Sequence, residues 1–259
     1  MGDQSFPFVE GAFGPFAAPT VPASFHTGDN KGQVFYVNAS EGGTDDVGTP
    51  YPVVDEKISF STLQGAIDTC VSSRGDTIYV KRNETVTETV TFNKTGIRVI
   101  GQSFGMTPRS RGEFQVLLAD STFTDGPVAT ITSPCYIENI GFASRDTGAT
   151  FFSGAAALIG GLATALPFGV HLKHCRFPKW GLSNRIGLSV EGSSNCLIED
   201  CEFEGAFASG IYIQGALGHL QIKGCNFNLC TYAITCGSFS DAGVNTQLMI
   251  GPGNVTVTP

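Results

Sequence analysis

Two short stretches hold most of the residue types that could do chemistry. KHCRFPKW (173–180) sets Lys173, His174, Cys175 and Arg176 side by side, and EDCEFEG (199–205) brings Asp200, Glu202 and Glu204 close together. Two carboxylates on one side of a strand can act as acid and base in glycoside hydrolysis, or hold a cation. The candidate catalytic set is therefore Asp200, Glu202, Glu204 and Arg176. The competing reading is a solvated wall on which Arg176 pairs with Glu202. Other chemistries have less to draw on. The eight cysteines form no Cys-x-x-Cys pair, and Cys196/Cys201 and Cys225/Cys230 are wrongly spaced for a closed zinc site. His171 and His219 stand alone and are expected at the surface. No phosphate loop, nucleotide fingerprint or Ser/His/Asp pattern is present, so neither metal nor cofactor is expected.

What must position these residues is a repeat. CYIENIGF (135–142), VHLKHCRF (170–177), CLIEDCEF (196–203) and LQIKGCNF (220–227) align column by column, with starts 35, 26 and 24 residues apart. A weaker row, LMIGPGNV (248–255), follows after 28. A second set of columns runs through GLSVEG (187–192), GIYIQG (210–215) and AITCGS (233–238). Apolar and polar residues alternate within each row, the period of a strand. The alternation slips once, at Asn139, His174, Asp200 and Gly224, so the strand bends there. A strand, a bend, a second strand and a return after about 24 residues is one coil of a parallel β-helix, which buries its inner face by stacking on its neighbours. Cys175, Cys201 and Cys225 should then stack inward, unbridged, beside a stack of Phe142, Phe177, Phe203 and Phe227. Glu138, Lys173, Glu199 and Lys223 should form an outward column of alternating charge. At the bend, polar side chains should satisfy the turn amides.

The expected fold class is all-β: a right-handed parallel β-helix from about Thr77 to Thr258, with an N-terminal capping helix over Ser61–Ser73 and an extended N-terminal arm. The helix is read from FSTLQGAIDTCVSS (60–73), whose Leu63, Ala66, Ile67, Cys70 and Val71 recur at helical spacing behind a Ser61-x-x-Gln64 capping box. Two parts are expected, an arm over 1–33 and a β-helix domain over 34–259. FYVNAS (35–40), FSTLQGAID (60–68), GDTIYV (75–80), ETVTFNKTGIRVIG (88–101) and the Ile-x-x-Cys-x-Phe rows resemble the pectin-lyase-like family of right-handed parallel β-helices. The resemblance covers roughly residues 34–258. It implies the fold, and it leaves the activity open among lyases, hydrolases, esterases and non-catalytic virus spikes. The motifs of polygalacturonase-like enzymes reduce here to the fragments NRIG (184–187) and GHL (218–220). Resemblance to pectate lyases would put a calcium-binding acidic group at Asp200, Glu202 and Glu204, with Arg176, one rung away, as the catalytic arginine.

Composition narrows the classes. The chain has 259 residues and is 41% hydrophobic but only 15% charged, enough to bury a large core. With a net charge of −8 and no basic cluster beyond Arg109 and Arg111, no nucleic-acid partner is expected. The apolar run AAALIGGLATAL (155–166) is too short to span a bilayer, so no membrane partner is expected. Met1 is followed by Gly-Asp-Gln, which predicts no signal peptide and synthesis in a reducing host cytoplasm. Residues 1–33 are rich in Phe, Pro, Ala and Gly, with neither strand nor helix period. Phe6, Phe8, Phe13 and Phe16 in this arm, and Phe151 and Phe152 in an apolar insert over 143–169, are the expected partner-binding residues. The layout resembles that of phage β-helix proteins. It implies a non-enzymatic virion structural protein of a bacteriophage, a capsid decoration or spike component, forming a homotrimer with other capsid or tail proteins as partners. The alternatives are a carbohydrate-active enzyme, such as a tailspike depolymerase, and a surface module that binds a glycan.

Overall fold

The computed structural model describes residues 32–37, 53–54, 57–80, 84–101, 115–119, 126–143, 155–160, 169–178, 186–193, 195–205, 207–217, 219–237, 247–250 and 256–258. Residues 1–31 of the expected arm, with Phe6, Phe8, Phe13 and Phe16, lie outside them, as do Phe151 and Phe152.

The chain opens with β1 (Val34–Val37), β2 (Val53–Val54), β3 (Lys57–Phe60) and the helix α1 (Leu63–Thr69). It then winds. The first coil is β4 (Thr77–Val80), β5 (Glu84–Val86) and β6 (Val90–Phe92), and the second is β7 (Ile97–Gly101), β8 (Gln115–Ala119) and β9 (Ala129–Ile131). The third is β10 (Cys135–Glu138), β11 (Ile140–Ala143) and β12 (Ala155–Gly160). The fourth is β13 (His171–Lys173), β14 (Arg176–Pro178) and β15 (Ile186–Ser193), and the fifth is β16 (Cys196–Glu199), β17 (Glu202–Glu204) and β18 (Ser209–Leu217). The sixth is β19 (His219–Lys223), β20 (Asn226–Asn228) and β21 (Tyr232–Cys236), after which β22 (Gln247–Ile250) and β23 (Thr256–Thr258) begin another. Each coil gives one strand to each of three sheets. The first sheet runs β2-β3-β1-β4-β7-β10-β13-β16-β19-β22, the second β23-β20-β17-β14-β11-β8-β5 and the third β21-β18-β15-β12-β9-β6. Among the described residues, every pairing is parallel except that of β2 with β3. This is the coiled architecture the repeat predicts.

The register reproduces the sequence columns. Ile137, Leu172, Ile198 and Ile222 lie on successive rungs, as do Leu188, Ile211 and Ile234. Phe142, Phe177, Phe203 and Phe227 are fully buried, with ring centroids 5.4, 4.6 and 4.8 Å apart. Parallel rungs repeat at about 4.8 Å, so like rings in register must stack face to face. The sequence pairs this stack with a glycine column on the third sheet. A Cβ on Gly187 would stand 2.7 Å from Phe203 Cδ1, and one on Gly210 would run into Phe227. The phenylalanine rings fill the volume that these glycines leave empty. Cys175, Cys201 and Cys225 are buried free thiols, as expected. Their hydrogens point at backbone: Cys201 Sγ donates to Glu199 O at 3.3 Å and Cys225 Sγ to Lys223 O at 3.5 Å.

α1 closes the N-terminal end by burying Leu63, Ala66 and Ile67. It is shorter than the predicted Ser61–Ser73, and its cap differs. Thr62, not Ser61, is the N-cap: its Oγ1 accepts from Gly65 N at 3.1 Å. Gln64 turns away, accepting from Thr91 N at 2.7 Å and donating to Asp68 at 2.8 Å. Leu63 must reach the core, so the last extended residue is the one before it. Cys70 ends the helix with φ −62° and ψ 146°, and Val71, assigned to the apolar stripe, is 50% exposed. Behind the helix, the fully buried Asp76 locks three segments together. It accepts from Gln33 N and Val71 N, each at 2.8 Å, and from Arg74 Nε at 2.7 Å. Burial, aided by the Asp76 charge, pushes the Cys70 thiol up to about 12.

Two further expectations change. The apolar stretch taken as an insert contains β12, a third-sheet strand paired with β9 and β15, on which Leu158 is half-buried. The weak final row holds in register only to Ile250. Phe227 then pairs with Val257, two residues beyond Val255. Among the described residues, no helix is long and apolar enough to cross a membrane.

Candidate functional site

The bend between the first and second sheets sets the geometry. Asn139, His174, Asp200 and Gly224 all have positive φ, at 57°, 50°, 51° and 64°. Asn, Asp and His tolerate this left-handed conformation better than most residues, and Gly best of all. That explains which residue types fill the column. The turn amides are satisfied by backbone, not by side chains as expected: Asn139 N donates to Lys173 O, His174 N to Glu199 O and Asp200 N to Lys223 O, at 3.0–3.2 Å. The side chains are left to pair with one another. His174 Nδ1 lies 3.5 Å from Glu138 Oε1, and its Nε2 lies 3.5 Å from Asp200 Oδ2.

On one side of the bend, Arg176 on β14 faces Glu202 and Glu204 on β17. The register places Arg176 beside Glu202, and its Nε lies 3.5 Å from Glu202 Oε2 while its terminal nitrogen binds Glu204. The four sequence candidates therefore divide. Arg176, Glu202 and Glu204 form one ion-paired group on the second sheet. Asp200 sits in the bend with His174 and is not part of it. Among the described residues, no group of three or more His, Cys, Asp or Glu side chains could hold a metal ion.

On the other side lies the outer face of the first sheet, with two columns. The first is Arg98, Tyr136, His171, Leu197 and Gln221; the second includes Glu138, Lys173, Glu199 and Lys223. The alternating charges are as read from the sequence, but their pairing is uneven. Glu199 binds Lys223 Nζ at 2.7 Å and His171 Nε2 at 3.0 Å. Burial raises the Glu199 pKa, but the bond and charge of Lys223, with His171 behind them, outweigh it and hold the carboxyl below its usual range. Glu199 is thus the centre of a small network rather than a plain surface charge.

The first column corrects a second expectation. His171 does point away from the core, yet it is buried, as are Tyr136, Leu197 and Gln221. The Tyr136 ring meets the His171 ring edge-on at 5.0 Å, and its hydroxyl donates to Glu138 at 2.8 Å. Arg98 lies over the other part of Tyr136, 5.2 Å from the ring centroid. Among the described residues, His171 Nδ1 and Gln221 Oε1 are buried with no hydrogen-bond partner. The sequence signal for this column was only a position between two inward apolar ones, polar or aromatic on every rung except at Leu197, which reads as solvent-facing. His219 does follow its expectation and is exposed at the start of β19.

Residues 163–250 match the family described as right handed beta helix region. Among solved structures, a pectin methylesterase mutant in complex with a hexasaccharide is similar to this chain at 13% identity and a TM-score of 0.47, over 76% of this chain and 55% of its own. ORF18 of Geobacillus virus E2 is similar at 19% identity and a TM-score of 0.38, over 83% of this chain and 40% of its own. This chain thus spans about half the length of those structures or less. No curated protein matches its sequence. By its winding and by the family match, the chain folds as a right-handed parallel β-helix.

Proposed function

We propose that this chain is a non-enzymatic structural component of a bacteriophage virion, a capsid decoration or spike protein, assembled as a homotrimer against other capsid or tail proteins. The observation that carries this reading is the commitment of the wall charges to one another. Arg176 holds both Glu202 and Glu204, and Lys223 holds Glu199. Using either carboxylate in catalysis would leave the arginine without its counter-charge. The set reads as structure before it reads as catalysis. The aromatic residues Phe6, Phe8, Phe13 and Phe16 supply the anchor in this proposal, with Phe151 and Phe152 as further partner contacts. The test compares full-length protein with a form starting at Gln33 for binding to virions depleted of the protein. Full-length protein should bind and the shortened form should not. Equal binding by both removes the arm from the account.

A second reading, glycan cleavage or glycan binding, is favoured by one feature. Asp200 lies outside the Arg176 group, and its side chain is 44% exposed. An Asp200→Asn protein that loses a measurable polysaccharide-degrading activity of the wild type while staying folded would establish that reading instead.

A further inference from the structure

We propose that His171 makes the outer face of the first sheet an acid-sensitive seam, in which uptake of a proton at Nδ1 loosens the rungs β10, β13 and β16 while the inner stack stays closed. The argument begins with the tautomer. His171 Nε2 lies 3.0 Å from Glu199 Oε2, and a carboxylate can only accept, so Nε2 carries the hydrogen. Nδ1 is then a bare lone pair, buried and without a partner among the described residues. A second proton would create a charged N–H at that place with no acceptor to receive it, a costly arrangement in a side chain only 7% exposed.

The groups around the ring oppose that proton more than they help it. From β10 comes Tyr136, whose ring meets the imidazole edge-on and whose hydroxyl is already given to Glu138. The charges of Lys173 on His171's own strand and of Lys223 on β19 both disfavour the proton. Only Glu199 on β16 attracts it, and Glu199 is shared with Lys223 at 2.7 Å. Burial, the largest influence, accordingly holds the His171 pKa below its usual value despite the pull of Glu199. The sign follows. A histidine depressed in the closed state contributes stability that is present above about pH 6.5 and is lost as pH falls toward its closed-state pKa. Opening should then become easier by up to about tenfold per pH unit in that window. The Glu199 carboxyl acts only lower, below about pH 4.5, so the two effects separate.

The test is amide hydrogen exchange of the full chain, expressed as protection factors at pH 7.5, 6.5 and 5.5, for wild type, His171→Gln and His174→Gln. Protection in β10, β13 and β16 should fall by up to about fivefold between pH 6.5 and 5.5 in wild type and in His174→Gln, and stay level in His171→Gln. A level wild-type profile, or the same fall in His171→Gln, overturns the proposal. If His171→Gln does not fold, imidazole ¹⁵N shifts of the wild type decide. A bare Nδ1 at pH 6.5 supports the seam, and a doubly protonated ring at pH 6.5 with protection unchanged overturns it.

Discussion

Asp76 shows what one side chain can contribute when it is fully buried and fully bonded. It ties Gln33, Val71 and Arg74 to the start of the first coil. Asp76→Ala would strand two backbone amides and a partly buried guanidinium, and should cost about 3 kcal/mol or more, read from urea unfolding midpoints. The glycine column makes a second residue-scale prediction. Gly210→Ala puts a methyl group into the Phe227 ring and should destabilise by about 1–3 kcal/mol, whereas the same change at the exposed Gly224 meets the Asp200 side chain instead, so Asp200→Gly should partly rescue it. The charge column calls for unequal responses. Reversal of Lys173 should change stability by about 0–1 kcal/mol, while Glu199→Lys breaks the bonds to Lys223 and His171 and should cost more, about 1–3 kcal/mol in the same assay. Glu199 adds an acid limit of its own. Its pKa is lowered on folding, so its contribution is present above about pH 4.5 and disappears as pH falls through the folded value. At this scale the sequence disclosed the residue types but not the bonds. The inward cysteines and phenylalanines were legible because alternation fixes which way they point. Asp76 and His171 were not, since their burial comes from segments far along the chain.

Elements were legible where they repeat and less so where they occur once. The coils from β10 to β21 announce themselves by identical columns, and the slip in alternation located the bend that places Asp200 and His174. α1 occurs once, and two adjacent hydroxyl residues, Ser61 and Thr62, competed for its cap. The choice fell to Thr62 because Leu63 had to enter the core. Thr62→Ala should therefore cost about 1 kcal/mol and Ser61→Ala much less, a comparison that thermal melts of the two variants can make. β12 was hidden because its run of small apolar residues, AAALIG, carries no alternation. Its place shows only in the ladder, where Ala157 lies between Ala129 and Leu188. Of the candidate site, the pairing of Arg176 with Glu202 could be read from the rows alone. The separation of Asp200 from Glu202 and Glu204 required the positive φ of the bend to be known.

At the scale of the whole molecule, a parallel β-helix is a stiff rod whose side walls are closed by hydrogen bonds and whose ends are not. α1 covers the first end. Toward the other, Leu229 and Tyr232 are 53% and 64% exposed, and β21 has a burial pattern in which no residue is fully covered. The proposed trimer would cover these side chains. The central claim, a virion component rather than a free enzyme, is tested most directly by electron microscopy of the intact phage particle. The account predicts symmetric β-helical density on the capsid or tail, with rungs about 4.8 Å apart and three copies around each local three-fold axis. Particles without that density, from cells in which the chain accumulates as a soluble monomer, would contradict it.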